Sequence, residues 1–132
     1  MAPRFKFARF DGDGYHVRHL VVVIDDDEDV ADIFAAFLTA GGFDVRTANS
    51  GSAGIRLVCE TVPHAVVCDM RMPGMGGEEV ILLLKSRPST SHIPVVVVTG
   101  YCEEEYVGIG DAFIPKPVCF RELVSAVQQF AA

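Results

Sequence analysis

The chain has 132 residues, of which 50% are hydrophobic and 22% are charged, and its formal net charge is −7. This composition excludes a disordered or collagen-like protein and fits one globular domain. The acidic balance argues against binding nucleic acid through its phosphates, and it suits a protein that holds a cation or meets a basic partner. No apolar run approaches the ~18 residues of a membrane span, and the first ten residues lack the apolar core of a signal peptide. We therefore expect a cytoplasmic protein without membrane insertion.

Residues 1–19 differ in charge from the rest of the chain. They carry four basic and two acidic residues, whereas the remainder carries seven basic and 16 acidic residues. The sequence DGDG at 11–14 contains a strong turn signal between two short stretches that mix basic and apolar residues. We predict an N-terminal extension at 1–19, either a hairpin or a flexible arm, and a main domain at 20–132.

From residue 20 onward, strand-like and helix-like segments alternate. Apolar or β-branched stretches predict five strands, at 20–24, 43–48, 65–69, 93–100 and 111–116. Helical spacing of apolar residues predicts helices at 30–42, roughly 52–61, 78–86 and 118–130. This alternation predicts an α/β fold with a parallel sheet covered by helices on both faces.

Polar side chains stand at the carboxyl ends of four of these strands: Asp25, Asp26, Asp69, Thr99 and Lys116. Ligands of open parallel sheets bind at that edge, so we expect these groups to share a pocket. Carboxylates in one pocket repel each other unless a cation lies between them, and oxygen ligands suit Mg²⁺. A cation, a lysine and a hydroxyl together match the charge of a transferring phosphoryl group. Asp69 is then available as the nucleophile that accepts it.

Four motifs follow one another along the chain: IDD at 24–26, DMRMPGMGG at 69–77, VTG at 98–100 and PKP at 115–117. With them, residues 20–130, about five-sixths of the chain, resemble the receiver domain of two-component response regulators. The resemblance implies a flavodoxin-like, doubly wound (βα)5 fold whose five-stranded parallel sheet has the order 2-1-3-4-5. It also implies a single-domain, chemotaxis-type regulator. Such a protein accepts a phosphoryl group from a histidine kinase or phosphotransfer protein and then changes its contacts with a downstream protein.

The resemblance also implies roles for single residues. Asp69 is the implied phosphoacceptor and also contributes to the Mg²⁺ site. Asp26 is implied as a direct Mg²⁺ ligand, and Asp25 is implied to act largely through water. The third protein ligand implied for the ion is the backbone carbonyl of Arg71. Lys116 is implied as the positive charge that balances the phosphoryl group.

Further residues are implied to switch or to flank the site. Thr99 corresponds to the switch hydroxyl, and Phe113 corresponds to the aromatic switch position, although Phe113 fits a plain core position equally well. Gly100 leaves room for the phosphoryl oxygens, and the Lys116–Pro117 bond is expected to be cis. Arg71 and Tyr101 flank the path of the water that would attack the acyl phosphate.

The interval between Thr99 and Lys116 departs from the family pattern because it holds only 16 residues. We therefore expect the fourth helix of the family, between the fourth and fifth strands, to be shortened, irregular or mobile. The sequence TGY at 99–101 gives a partial resemblance to the FAT GUY subgroup of receivers.

Two other functions compete with a phosphoacceptor. The first is a receiver-like interaction module that works without phosphorylation, although such a module has no need of the clustered charges. The second is an aspartyl-phosphate phosphohydrolase, which DGDG at 11–14 suggests only loosely because no apolar strand precedes it. We expect a phosphoacceptor signalling domain, not an enzyme, and no nucleic-acid partner.

Overall fold

The computed structural model of the protein describes residues 7–10, 15–100 and 108–131. Three expectations lie partly or wholly outside these ranges: the turn at 11–14, the position of Tyr101, and most of the shortened helix before the last strand. At the described end of that interval, residues 108–111 form turns, in which Gly108 and Gly110 have positive φ angles of 87° and 82°.

The described strands and helices follow the predicted alternation. The strands are β1 (Phe7–Phe10), β2 (Tyr15–Arg18), β3 (Leu20–Ile24), β4 (Asp44–Ala48), β5 (Ala65–Asp69), β6 (Val95–Thr99) and β7 (Ala112–Pro115). The helices are α1 (Glu28–Ala40), α2 (Gly51–Thr61), α3 (Gly77–Ser86) and α4 (Phe120–Ala131). No helix in these parts of the chain is long and apolar enough to cross a membrane.

Strands β3 to β7 form one parallel sheet in the spatial order β4-β3-β5-β6-β7. Numbered along the chain within this sheet, the order is 2-1-3-4-5, so the predicted fold is confirmed. Strands β1 and β2 pair antiparallel as a separate two-stranded sheet. The strand order reverses beside β3, and this reversal opens a crevice at the carboxyl ends of β3 and β5.

Alternating side chains of the sheet pack into two separate hydrophobic clusters, one on each face. Val21 and Val23 of β3 pack with α1 and α4 on one face, whereas Val22 and Ile24 pack with α2 and α3 on the other. Strands β3, β5 and β6 are buried along their whole length, which explains why their sequences are continuous apolar runs. The sheet is therefore a rigid base for the loops at its carboxyl edge.

Helix boundaries differ from the predicted ones by one or two residues, and in α1 and α2 a side-chain cap sets the first helical residue. Helix α1 begins at Glu28 since the Asp27 side chain accepts hydrogen bonds from the amides of Asp29 and Val30. Helix α2 begins at Gly51, where the Ser50 side chain accepts from the amide of Ala53. Both caps place a helix N-terminus at the carboxyl edge of the sheet.

Gly54 of α2 allows this helix to lie directly against β3. A Cβ atom at Gly54 would come within 2.5 Å of the Cδ1 atom of Ile24, a side chain that is fully buried. We predict that Gly54→Ala lowers the free energy of unfolding by about 1–3 kcal/mol through overpacking, despite the better helix propensity of alanine. Urea denaturation measures this change. The exposed Ser52→Ala on the same helix is the control and should stay within about 0.5 kcal/mol of the parent. A Gly54→Ala protein as stable as the parent would contradict the close approach.

Candidate functional site

The carboxyl edge of the sheet brings together four of the predicted site residues. Asp25 follows β3, Asp69 ends β5, Thr99 ends β6 and Lys116 follows β7. Asp25, Asp69 and Thr99 are buried, with 1%, 8% and 0% of their surface exposed. The Lys116 Nζ atom lies 3.4 Å from Asp25 Oδ2 and 3.5 Å from Asp69 Oδ1. One ammonium group is therefore shared by two buried carboxylates.

Asp26 completes a cluster of three carboxylates at this edge. One oxygen from each of Asp25, Asp26 and Asp69 lies within 4.8 Å of the others, and Asp26 is the exposed member. The backbone amide of Asp27 donates a 2.9 Å hydrogen bond to Asp25 Oδ1, which fixes the orientation of that carboxylate. Three oxygen donors that converge in this way, with one of them open to solvent, form a donor set that suits a hard divalent cation such as Mg²⁺.

The environment of Asp69 opposes its negative charge. Burial raises the pKa of Asp69 from 3.8 to about 6, and the charges of Asp25 and Asp26 act in the same direction, while Lys116 lowers it. Lys116 therefore only partly offsets the cost of burying the Asp69 charge, and a further cation would lower the pKa of Asp69.

The loop from β5 to α3 holds Asp69 in place through close backbone packing. The Gly77 amide donates a 2.8 Å hydrogen bond to the Met70 carbonyl. A Cβ atom at Gly77 would come within 2.6 Å of the Asp69 carbonyl oxygen, so a larger residue would push α3 away from the site. Met70 and Met72 are buried in the core, whereas the Arg71 side chain between them is exposed. The loop is thus anchored on both sides of Arg71.

The residues around Lys116 are more exposed than those around Asp69. The Lys116–Pro117 bond is cis, and both Gly100 and Pro117 are exposed. A Cβ atom at Gly100 would approach Lys116 Cβ only to 3.7 Å, an ordinary contact, so Lys116 does not require a glycine there. Phe113 is half-buried and packs against the cluster on the α2–α3 face, a position compatible with either role considered for it.

Two residues near the site were missed in the sequence. Cys68 precedes Asp69, and burial, followed by the charges of Asp69 and Asp25, raises its thiol pKa far above the usual range, so Cys68 stays a neutral thiol. Asn49 follows β4, and its side-chain amide donates a 3.0 Å hydrogen bond to Glu28 Oε1 at the start of α1. Asn49 directly follows the carboxyl end of β4, and this position is the sequence signal that points to it.

The raised pKa of Asp69 predicts how stability depends on pH without a divalent cation. The native protein holds this proton more tightly than the unfolded chain does, so the free energy of unfolding falls as pH rises from 3.8 to about 6. We predict that Asp69→Asn is about 1–3 kcal/mol more stable than the parent at pH 7 in chelator, and that this gain vanishes near pH 4. Mg²⁺ should reduce the gain because it stabilises only the parent carboxylate. Urea denaturation across this range measures the difference, and a gain independent of both pH and Mg²⁺ would contradict the account.

Comparisons with known proteins agree with the fold. A model of the response regulator receiver domain matches residues 21–128. The DNA-binding response regulator MtrA of Mycolicibacterium smegmatis is 31% identical over 117 residues, which cover 85% of this chain and 50% of MtrA. The transcriptional regulatory protein PrrA of Mycobacterium leprae is 32% identical over 111 residues, which cover 82% of this chain and 48% of PrrA. The chain thus spans about half the length of these curated relatives.

A solved structure is also similar to this chain. The response regulator receiver domain protein of Clostridium thermocellum superimposes with a TM-score of 0.79 at 25% identity, covering 86% of this chain and 94% of that one. Because the family match and the curated relatives both cover most of the chain, the protein belongs to the response regulator receiver domain family.

Proposed function

We propose that this chain is the phosphoacceptor of a two-component or phosphorelay system, and that Asp69 receives the phosphoryl group in the cytoplasm. The donor is a histidine kinase or a histidine phosphotransfer protein. The observation that carries this proposal is the pairing of Asp69 Oδ1 with Lys116 Nζ at 3.5 Å, inside a cluster of three carboxylates at the sheet edge. A buried acid beside a fixed cation supplies a nucleophile next to a positive charge.

In the proposed transfer, an Asp69 oxygen forms a bond to phosphorus while the phosphorus–nitrogen bond of the donor phosphohistidine breaks. The imidazole leaves with the electron pair of that bond. Lys116 offsets the negative charge on the phosphoryl oxygens, and the Thr99 hydroxyl donates a hydrogen bond to one of them. Gly100 carries no side chain that would crowd the incoming group.

Mg²⁺ is the proposed cofactor, and the residues present fit it. Asp25, Asp26, Asp69 and the backbone carbonyl of Arg71 would hold the ion. When bound, Mg²⁺ supplies positive charge that compensates the carboxylates and the phosphoryl oxygens. Asp25 would then contact both the ion and Lys116, since its Oδ2 atom already lies 3.4 Å from Lys116 Nζ.

Phosphorylation would change the protein through charge. A phosphoryl group adds roughly one to two negative charges at neutral pH, by analogy with other phosphorylated side chains. We propose that this charge shifts the population of two arrangements at the β6–β7 side, where Thr99 and Phe113 are the candidate switch residues, and so alters the surface offered to a downstream protein. DNA binding is named for MtrA as a whole, and this chain covers 50% of the length of MtrA.

The first test is the site of labelling by acetyl phosphate with Mg²⁺. We predict stoichiometric, chelator-sensitive incorporation of one phosphoryl group in the parent and none in Asp69→Ala, measured by intact-protein mass spectrometry. The exposed Asp29→Ala, outside the carboxylate cluster, is the matched control and should label normally. Labelling that survives Asp69→Ala would refute the assignment. Failure of the parent to label with any donor would favour the phosphorylation-independent module, and repeated turnover of a phosphate monoester would favour the phosphohydrolase.

A second test concerns the lifetime of the acyl phosphate. Arg71 is exposed two residues after Asp69, and Tyr101 follows Gly100 in the sequence. We propose that these large side chains limit the approach of water to phosphorus. The double variant Arg71→Ala, Tyr101→Ala should therefore lose its phosphoryl group severalfold faster than the parent. Release of radiolabelled phosphate after donor removal measures this rate, with the exposed Arg121→Ala on α4 as control. Equal lifetimes in parent and double variant would rule out shielding.

A further inference from the structure

We propose that the open edge of strand β4 binds an extended basic peptide segment of a partner protein, which adds to the sheet as a further strand. This site lies at the side of the sheet, along the outer edge of β4, and its function does not require phosphorylation. Three observations carry the proposal: the direction of the β4 backbone groups, the groove above them and the charges on its two walls.

One side of the β4 backbone carries hydrogen-bonding groups that pair with no strand among the described residues. Within the described part of the chain, β4 is the terminal strand of the sheet and pairs only with β3. The Asp44 amide donates to the His19 carbonyl, and the Ala48 carbonyl accepts from Asp25, so these two residues face inward. Because backbone direction alternates along a strand, the N–H and C=O groups of Val45 and Thr47 face outward. Such an edge is a template for another strand.

A groove of about 450 Å³ runs over this edge between α1 and α2. Thr47 and Ala48 both line this groove. Thr47 pairs with Val23 and so lies on the α1 face of the sheet, whereas Ala48 pairs with Ile24 and lies on the α2 face. The groove therefore extends over both faces at the sheet edge. Ala31 of α1 and Ala53 of α2 also line it. These small side chains leave room for a backbone at the usual interstrand distance of about 4.8 Å.

The charges on the walls select a basic segment. The α1 wall carries Glu28 and Asp32 without a basic residue among the lining groups, whereas on the α2 wall Glu60 is accompanied by Arg56. All four side chains are exposed, and the strand itself adds the exposed Arg46 on its α2 face.

Side chains of an added strand point alternately to the two walls. The occupant therefore carries Lys or Arg at the positions that face α1 and small uncharged residues at those that face α2. A second copy of this chain fits less well, because it would bring the same three carboxylates to the interface.

The test uses an acetylated, amidated hexapeptide of alternating Lys and Val, added to the full-length ¹⁵N-labelled protein. NMR should show shift changes and slower amide exchange at Val45 and Thr47, while the inward-facing amide of Asp44 keeps its exchange rate. Asp32→Asn should weaken binding about two- to fivefold, the range expected for one exposed ion pair. Glu79→Gln, an exposed acid of α3 outside the groove, should leave the affinity unchanged.

Backbone pairing has its own test. Thr47→Pro removes an outward N–H that the sheet does not use, a substitution that edge strands accept, and it should weaken the peptide while the sheet stays folded. If this variant does not fold, a peptide with Pro in place of each Val tests the same backbone hydrogen bonds from the other side. Proline has no N–H to donate, so this peptide should not bind.

Three results would overturn the proposal. Equal binding of a Glu–Val hexapeptide would remove the charge argument, and equal binding of the Lys–Pro hexapeptide would remove backbone pairing. Protection of the Val45 and Thr47 amides in the free protein would assign the edge to another occupant. If the protection depends on protein concentration, that occupant is a second copy of the protein. If it does not, the occupant is another segment of the same molecule.

Discussion

The sharing of Lys116 by two buried carboxylates is the constraint on which the site depends. Asp25 and Asp69 lie 3.4 and 3.5 Å from one ammonium group, and Asp26 brings a third negative charge to within 4.8 Å of both. Burial is the main reason why the pKa of Asp69 is raised, the neighbouring acids add to it, and Lys116 offsets it only in part. The site is consequently poised to gain positive charge from a cation, which is the setting that phosphoryl transfer to a carboxylate requires.

The fold maintains this unfavourable cluster through the rigidity of its strands. The three acids and their lysine partner stand at the ends of three strands, β3, β5 and β7, so the sheet, not the loops alone, sets the distances between them. Buried valines along β3, β5 and β6 fix the strands relative to both helical layers. The close contact of Gly77 with the Asp69 backbone adds a second restraint from α3. Burial of apolar surface elsewhere thus stabilises the protein enough to hold like charges together.

Much of this arrangement follows from the sequence, since strand ends in a parallel sheet meet at one edge. The bounds of β3 and β5 agree with their apolar runs, and Asp25, Asp69 and Lys116 lie together at the carboxyl edge, where Thr99 ends its own strand. Helix α1 begins at Glu28, two residues before the start predicted from its apolar residues, because the Asp27 cap precedes the apolar periodicity. The hydrogen bond from Asn49 to Glu28 and the groove along β4 depend on how α1 and α2 flank the sheet, and a single sequence does not encode that geometry in a readable pattern.

The central claim is that the carboxylate shared with Lys116 becomes an acyl phosphate. Borohydride reduction tests it most directly, because this reagent converts an aspartyl phosphate into homoserine and leaves other phosphorylated side chains unchanged. After exposure to phosphodonor and Mg²⁺, peptide sequencing by tandem mass spectrometry should find homoserine at position 69 alone, and none when a chelator replaces the ion. Homoserine at another aspartate, or phosphorylation that borohydride does not trap, would contradict the account.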